Sequence, residues 1–253
     1  MRAFALLALF LPPLAGACQP LDSDSGTVQG DDPYEDDHYD HDPYDEPDAG
    51  PIYQQPDAST QPTGPTEGTV VAKFCFNNYM RSDTPRVNNG AQQTIRLQEE
   101  NPRMRGLLGF YLDEIPAGST VLSATLAIKT QGDGKMDRGA VNLYRATEEW
   151  VEGTAQNQPD ASNWDNRLTG VKWSSPGAGA SSRSSVALGT FQPRNNHTVY
   201  NVSLNVSEMQ AMLAQNYGFV LAATGGDDDA RLYTCDDLDV AAWPALTINY
   251  RTP

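Results

Sequence analysis

The chain has 253 residues, 33 acids against 17 bases, a formal net charge of −16 and only 20% charged residues. That balance argues against a nucleic-acid partner, because phosphate recognition needs a basic footprint. The 21 glycines and 18 prolines suit a loop-rich β protein better than a helical enzyme. Beyond the N-terminus no apolar run reaches the roughly 18 residues needed to span a bilayer.

Residues 1–17, MRAFALLALFLPPLAGA, read as an export signal. Arg2 supplies the positive start, Ala3 to Leu11 the apolar stretch, and Ala15-Gly16-Ala17 a small-residue cleavage zone. Cys18 follows at once. The run Leu14-Ala15-Gly16-Ala17-Cys18 resembles the lipobox of bacterial lipoproteins, which implies lipidation at Cys18 and a membrane anchor. Each buried lipid CH₂ contributes about 0.8 kcal/mol, so several acyl chains hold a protein stably.

Residues 18–68 read as a disordered Asp/Pro-rich linker. Between Gln19 and Gly68 there is no Lys or Arg, and 14 of the 33 acids fall there. Almost no aliphatics are present, so the segment cannot bury enough apolar area to offset the entropy of ordering. It would span roughly 40 Å as a coil and up to ~150 Å extended. Within it DDPYEDDHYDHDPYDEPD repeats Asp-Pro-Tyr and mixes His38 and His41 with carboxylates, but it matches no EF-hand loop. The remaining acids and bases nearly balance, so the charge belongs to the linker.

Residues 69–253 read as one all-β domain, a jelly-roll β-sandwich with one short helix. The clearest strand is Val121–Lys129, with Leu122, Ala124, Leu126 and Ile128 on one face. Similar alternation predicts strands at 70–76, 92–98, 106–112, 140–146, 184–190, 197–204, 218–224, 230–235 and 245–250. About ten strands bounded by turn residues suggest a sandwich and not βαβ units. A helix begins at Ser207, with Gln210 three residues on as a capping box. Met209, Met212 and Leu213 share its apolar face, and Asn216 stops it.

Several strings, in order over about 70–250, resemble the disaggregatase-related DNRLRE domain. They include Leu107-Leu108-Gly109-Phe110, Ile115-Pro116-Ala117-Gly118-Ser119-Thr120-Val121 and Val141-Asn142-Leu143-Tyr144-Arg145. Further matches are Glu149-Trp150-Val151-Glu152-Gly153-Thr154, Ser162-Asn163-Trp164-Asp165-Asn166-Arg167, Val171-Lys172-Trp173-Ser174 and Pro244-Ala245-Leu246-Thr247-Ile248. The resemblance implies a non-catalytic jelly roll of the kind carried by surface proteins and polysaccharide-active enzymes. Some relatives are grouped as carbohydrate-binding module family 96. This chain carries one copy with no lyase or hydrolase domain beside it.

Cys75 and Cys235 lie in the first strand and near the last two, which often adjoin in a jelly roll. An exported compartment would let them pair. Asp236, Asp237 and Asp239 are a candidate site for structural Ca²⁺, with backbone carbonyls completing the shell; Asp227-Asp228-Asp229 forms a second acidic loop. Glycan binding needs aromatic platforms with polar rims. Trp164 and Trp173 lie in a Gly/Ser/Asn-rich loop with Arg167, Lys172 and Arg183 close in sequence, and Arg81, Arg86, Arg103 and Arg105 could join them against an acidic polysaccharide. The two tryptophans could equally serve packing. His197, the single histidine of the domain, reads as a surface strand residue, and no Gly-x-Ser-x-Gly elbow occurs. Glu148, Glu149 and Glu152 beside Trp150 are the carboxylates a polysaccharide-active enzyme would use.

The expectation is therefore a non-catalytic lipoprotein, anchored at the bacterial cell surface or outer membrane, whose head binds extracellular or cell-wall polysaccharide. A structural or adhesive surface protein with a protein partner ranks second, and an enzyme last.

Overall fold

The computed structural model describes residues 64–154 and 161–253. The export signal, Cys18 and nearly all of the acidic segment lie outside the described residues.

The chain runs β1 (Glu67–Ala72), β2 (Cys75–Arg81), β3 (Thr94–Leu97), β4 (Met104–Phe110), β5 (Thr120–Lys129) and β6 (Ala140–Ala146). A short ribbon follows, β7 (Asn166–Leu168) and β8 (Val171–Lys172), then β9 (Arg183–Phe191) and β10 (Val199–Ser203). The helix α1 (Val206–Ala214) precedes β11 (Phe219–Thr224), β12 (Ala230–Tyr233) and β13 (Ala245–Arg251).

Two antiparallel sheets, ordered β1-β13-β5-β10 and β2-β4-β11-β6-β9, form an all-β sandwich; β12-β3 and β7-β8 are small side ribbons. Val70, Leu126, Val202 and Ile248 from the first sheet meet Phe110, Leu143, Leu188 and Phe219 from the second in one core. Along the chain β1, β5, β10 and β13 of the first sheet are each separated by strands of the second, the wrapping of a jelly roll. Cys75 and Cys235 are disulfide-bonded, with Cα atoms 5.9 Å apart, and tie the start of β2 to the turn after β12.

Four local expectations change. The run 70–76 is two strands in different sheets, because the chain crosses the sandwich at Lys73-Phe74. Leu122 faces outward: β5 opposes β13 with a bulge there, so Tyr250 pairs with Val121 and the alternation shifts. His197 precedes its strand in a turn, at φ 50°. The helix cap is Asn205, whose Oδ1 accepts from Glu208 N at 3.2 Å and from the Ser207 hydroxyl at 2.7 Å. Gln210 instead accepts from Val121 N at 2.7 Å and donates to Ser119 O at 3.0 Å, which fastens the helix to the start of β5. Met209 and Met212 are buried in the core as their spacing predicts.

The outer face of the five-stranded sheet is also covered. Trp150, Trp173 and Ala178, from the segment between β6 and β9, pack on Met80, Leu107 and Val220. Central β11 is therefore buried on both faces, which explains its uninterrupted apolar run Phe219-Val220-Leu221-Ala222-Ala223. Buried asparagines hold the cover down. Asn78 donates to Ser162 O at 2.7 Å, Asn88 donates to the same oxygen at 2.7 Å, and Asn89 N donates to Asn78 Oδ1 at 3.0 Å. With their partners met inside the protein, these polar groups fix the loops and shield the free edge of β2.

Candidate functional site

The cover stops short of one end of the sheet and leaves a groove. Its floor follows from strand register. Arg105 on β4 pairs with Ala222 on β11, which pairs with Asn142 on β6. Neighbouring strands lie about 4.8 Å apart, so the single methyl of Ala222 leaves a trough roughly 10 Å wide between its flanking strands. Tyr144 lies two residues further along β6, and Arg183 opens β9 opposite Ala146. The resulting depression holds about 240 Å³ and is bordered by Gln98, Glu99, Arg103, Arg105, Tyr144 and Arg183. A second depression of about 300 Å³ shares Glu99 and Arg103 and reaches Trp164.

The cations are held by aromatic faces. The Arg183 guanidinium carbon lies 3.8 Å from the Tyr144 ring centroid, and that of Arg105 lies 5.4 Å from the Trp164 ring. Arg105 also donates to Gly177 O at 2.9 Å and Pro176 O at 3.2 Å. Gly177 sits at φ +63° and against the Trp164 ring, where a Cβ would collide, so this glycine sets the ring's position. Among the described residues neither Arg105 nor Arg183 has an ion-pair partner. Nη1 of Arg183 is buried with no hydrogen-bond acceptor among the described residues. Burial, and then the nearby charges of Arg183 and Arg103, push Arg105 down to about 10; burial also lowers Arg183. Both stay charged at neutral pH. Glu99, the acid that borders the groove, turns Oε2 onto the amides of Gly225 at 2.7 Å and Gly226 at 3.0 Å, which hold its carboxyl below the usual range.

The sequence-based candidates separate here. Trp164 and Arg183 border the groove, joined by Arg103 and Arg105. Trp173 is only 4% exposed and donates from Nε1 to Asn163 O at 2.8 Å beneath the cover, so its ring offers no open face. Arg167 donates to Glu149 O at 3.1 Å in the β7-β8 ribbon, and Lys172 is exposed on β8; neither borders the groove. Arg81 pairs with Asp83 and Arg86 is exposed. Tyr144, Asn142 and Ala222 also line the groove and are not among the sequence-based candidates. The signal was present: Asn142 and Tyr144 alternate with the buried Val141 and Leu143, so their side chains must face the other side of the sheet.

The acids also divide. Asp237 Oδ1 accepts from Asp239 N at 2.8 Å, and Asp239 Oδ1 accepts from Ala241 N at 3.1 Å, so both shape their own turn. Asp229 pairs with Arg96 at 2.7 Å and Arg231 at 3.2 Å. Among the described residues no three His, Cys, Asp or Glu side chains group as a metal site. Glu148 accepts from Ser174 N at 3.2 Å and from the Ser174 hydroxyl, whereas Glu152 accepts from Asn77 N at 2.5 Å on the edge of β2. Burial, reinforced by Asp236, pushes Glu152 up to about 7.

No protein-family description matches the chain, and no curated protein matches it either.

Proposed function

We propose that this protein is an exported lipoprotein, anchored through Cys18 at the bacterial cell surface, whose sandwich head is a non-catalytic binding module for an acidic polysaccharide. One observation carries the reading: Arg105 and Arg183 lie in one groove, stacked on Trp164 and Tyr144, with no carboxylate among the described residues paired to either. Partly buried guanidiniums without counter-ions are costly unless something anionic meets them. A guanidinium fork donates two parallel hydrogen bonds to a carboxylate or sulfate, and aromatic faces suit sugar rings. The lipobox-like start, the acidic linker and the resemblance to DNRLRE domains support the same reading.

A glycan screen on the purified protein tests the proposal. It should give signals confined to acidic polymers, lost in Trp164→Ala and weakened in Arg183→Ala. A second reading, adhesion to a protein partner, draws on Phe74 and Tyr111, which are 74% and 60% exposed beyond the other end of β4. A silent screen would favour it.

A further inference from the structure

We propose that Asn77, Glu152 and Asp236 form a binding site for a hard divalent cation of the calcium class. The three residues come from distant parts of the chain: edge strand β2, the cover after β6, and the turn pinned by the Cys75–Cys235 disulfide. The Asn77 amide lies between the two carboxylates, with Nδ2 donating to Asp236 Oδ2 at 2.7 Å and to Glu152 Oε1 at 3.2 Å. Two like charges thus converge on one neutral group. Among the described residues no Lys, Arg or His pairs with either of them.

The second observation is independent of the acids. Asn77 is 1% exposed, and its Oδ1 is buried with no hydrogen-bond partner among the described residues. A buried orphan acceptor costs about 1–3 kcal/mol, and this one belongs to the same amide head that meets both carboxylates. The two ends of an amide exchange by a half-turn of the terminal torsion. In that orientation Oδ1 takes the place between the acids, and three oxygens carrying two negative charges converge. An all-oxygen set suits Ca²⁺, with water completing six to eight ligands from the exposed Asp236 side; it lacks the nitrogen and sulfur that Zn²⁺ prefers. Asp237 and Asp239 are outside this set, because their carboxylates cap the turn. The cation would join three chain segments and is independent of the groove.

Thermal melting of the whole protein, stripped with chelator and then given millimolar CaCl₂ or MgCl₂ at matched ionic strength, tests the site. The melting temperature should rise by several degrees with calcium, less with magnesium, and return with chelator. Asp236→Asn, at an exposed position that leaves the fold intact, should abolish most of the rise, as should Glu152→Gln. Asp237→Asn should keep it. A wild-type melt unmoved by calcium would overturn the proposal. So would a full rise retained in Asp236→Asn, the result expected if calcium were held by the acidic segment 19–68.

Discussion

The Arg183 guanidinium rests 3.8 Å from the centroid of the Tyr144 ring, with one buried nitrogen that donates to nothing among the described residues. Tyr144 orients the cation across the groove, and the buried, unmet donor adds to the cost of holding this charge without a counter-ion. Arg183→Ala and Arg105→Ala should each weaken binding of an acidic polysaccharide about tenfold, roughly 1.4 kcal/mol. Raising salt should weaken wild-type binding more than variant binding, because each arginine removed deletes a charge contact. Titrations at two ionic strengths check both; an unchanged salt slope in the double variant would count against the groove.

The two tryptophans should behave as opposites. Trp173 is buried and hydrogen-bonded under the cover, so Trp173→Ala should destabilise the domain by about 3–5 kcal/mol. Trp164→Ala should leave more of the stability and remove ligand binding, because its ring supports Arg105 at the groove's edge. Ala222→Leu should also block binding by filling the floor while both arginines remain. Denaturant melts and binding titrations on the three variants separate these roles.

Much of the sandwich was legible because β strands write their faces into the sequence with period two. β6, β11 and β13 fall where alternation or a short apolar run places them. Leu122 was misread because a bulge changes the phase without a local marker. The strand 70–76 was read through a crossing because Phe74 continues the apolar pattern although it is exposed. The groove was half legible. Trp164 and Arg183 lie near one another in sequence, but Arg105 and Asn142 meet only through their shared pairing with Ala222 on β11. Nothing in their local strings encodes that register.

Glu152 should make stability pH-dependent in metal-free solution. Its folded value of about 7 lies above the ordinary 4.5, so the folded state holds the proton more tightly than the unfolded chain. Stability should therefore be greatest near pH 4.5, fall as pH rises through 7, and level off above. Glu99 and Glu148 are lowered and act in the opposite sense, losing stability only as pH falls below the ordinary carboxylate value. Glu152→Gln should flatten the slope between pH 4.5 and 7 in chelator. A slope that survives the substitution would assign it elsewhere.

The Cys75–Cys235 bond closes a loop with a sequence separation of 160. Restricting so long a loop in the unfolded chain contributes roughly 5 kcal/mol on the chain-entropy account. Reduction, or Cys75→Ser with Cys235→Ser, should lower the denaturation midpoint and leave the β-sheet circular dichroism in place. A midpoint indifferent to reductant would show that the bond carries no such constraint.

The most direct measurement compares one polymer in two charge states: calorimetric titration of the protein with polygalacturonate and with its fully methyl-esterified form. The arginine groove predicts binding to the carboxylate polymer, none to the ester, and loss of the former when Arg105 and Arg183 are both replaced by alanine. Equal binding to the two polymers, or undiminished binding by the double variant, would contradict it.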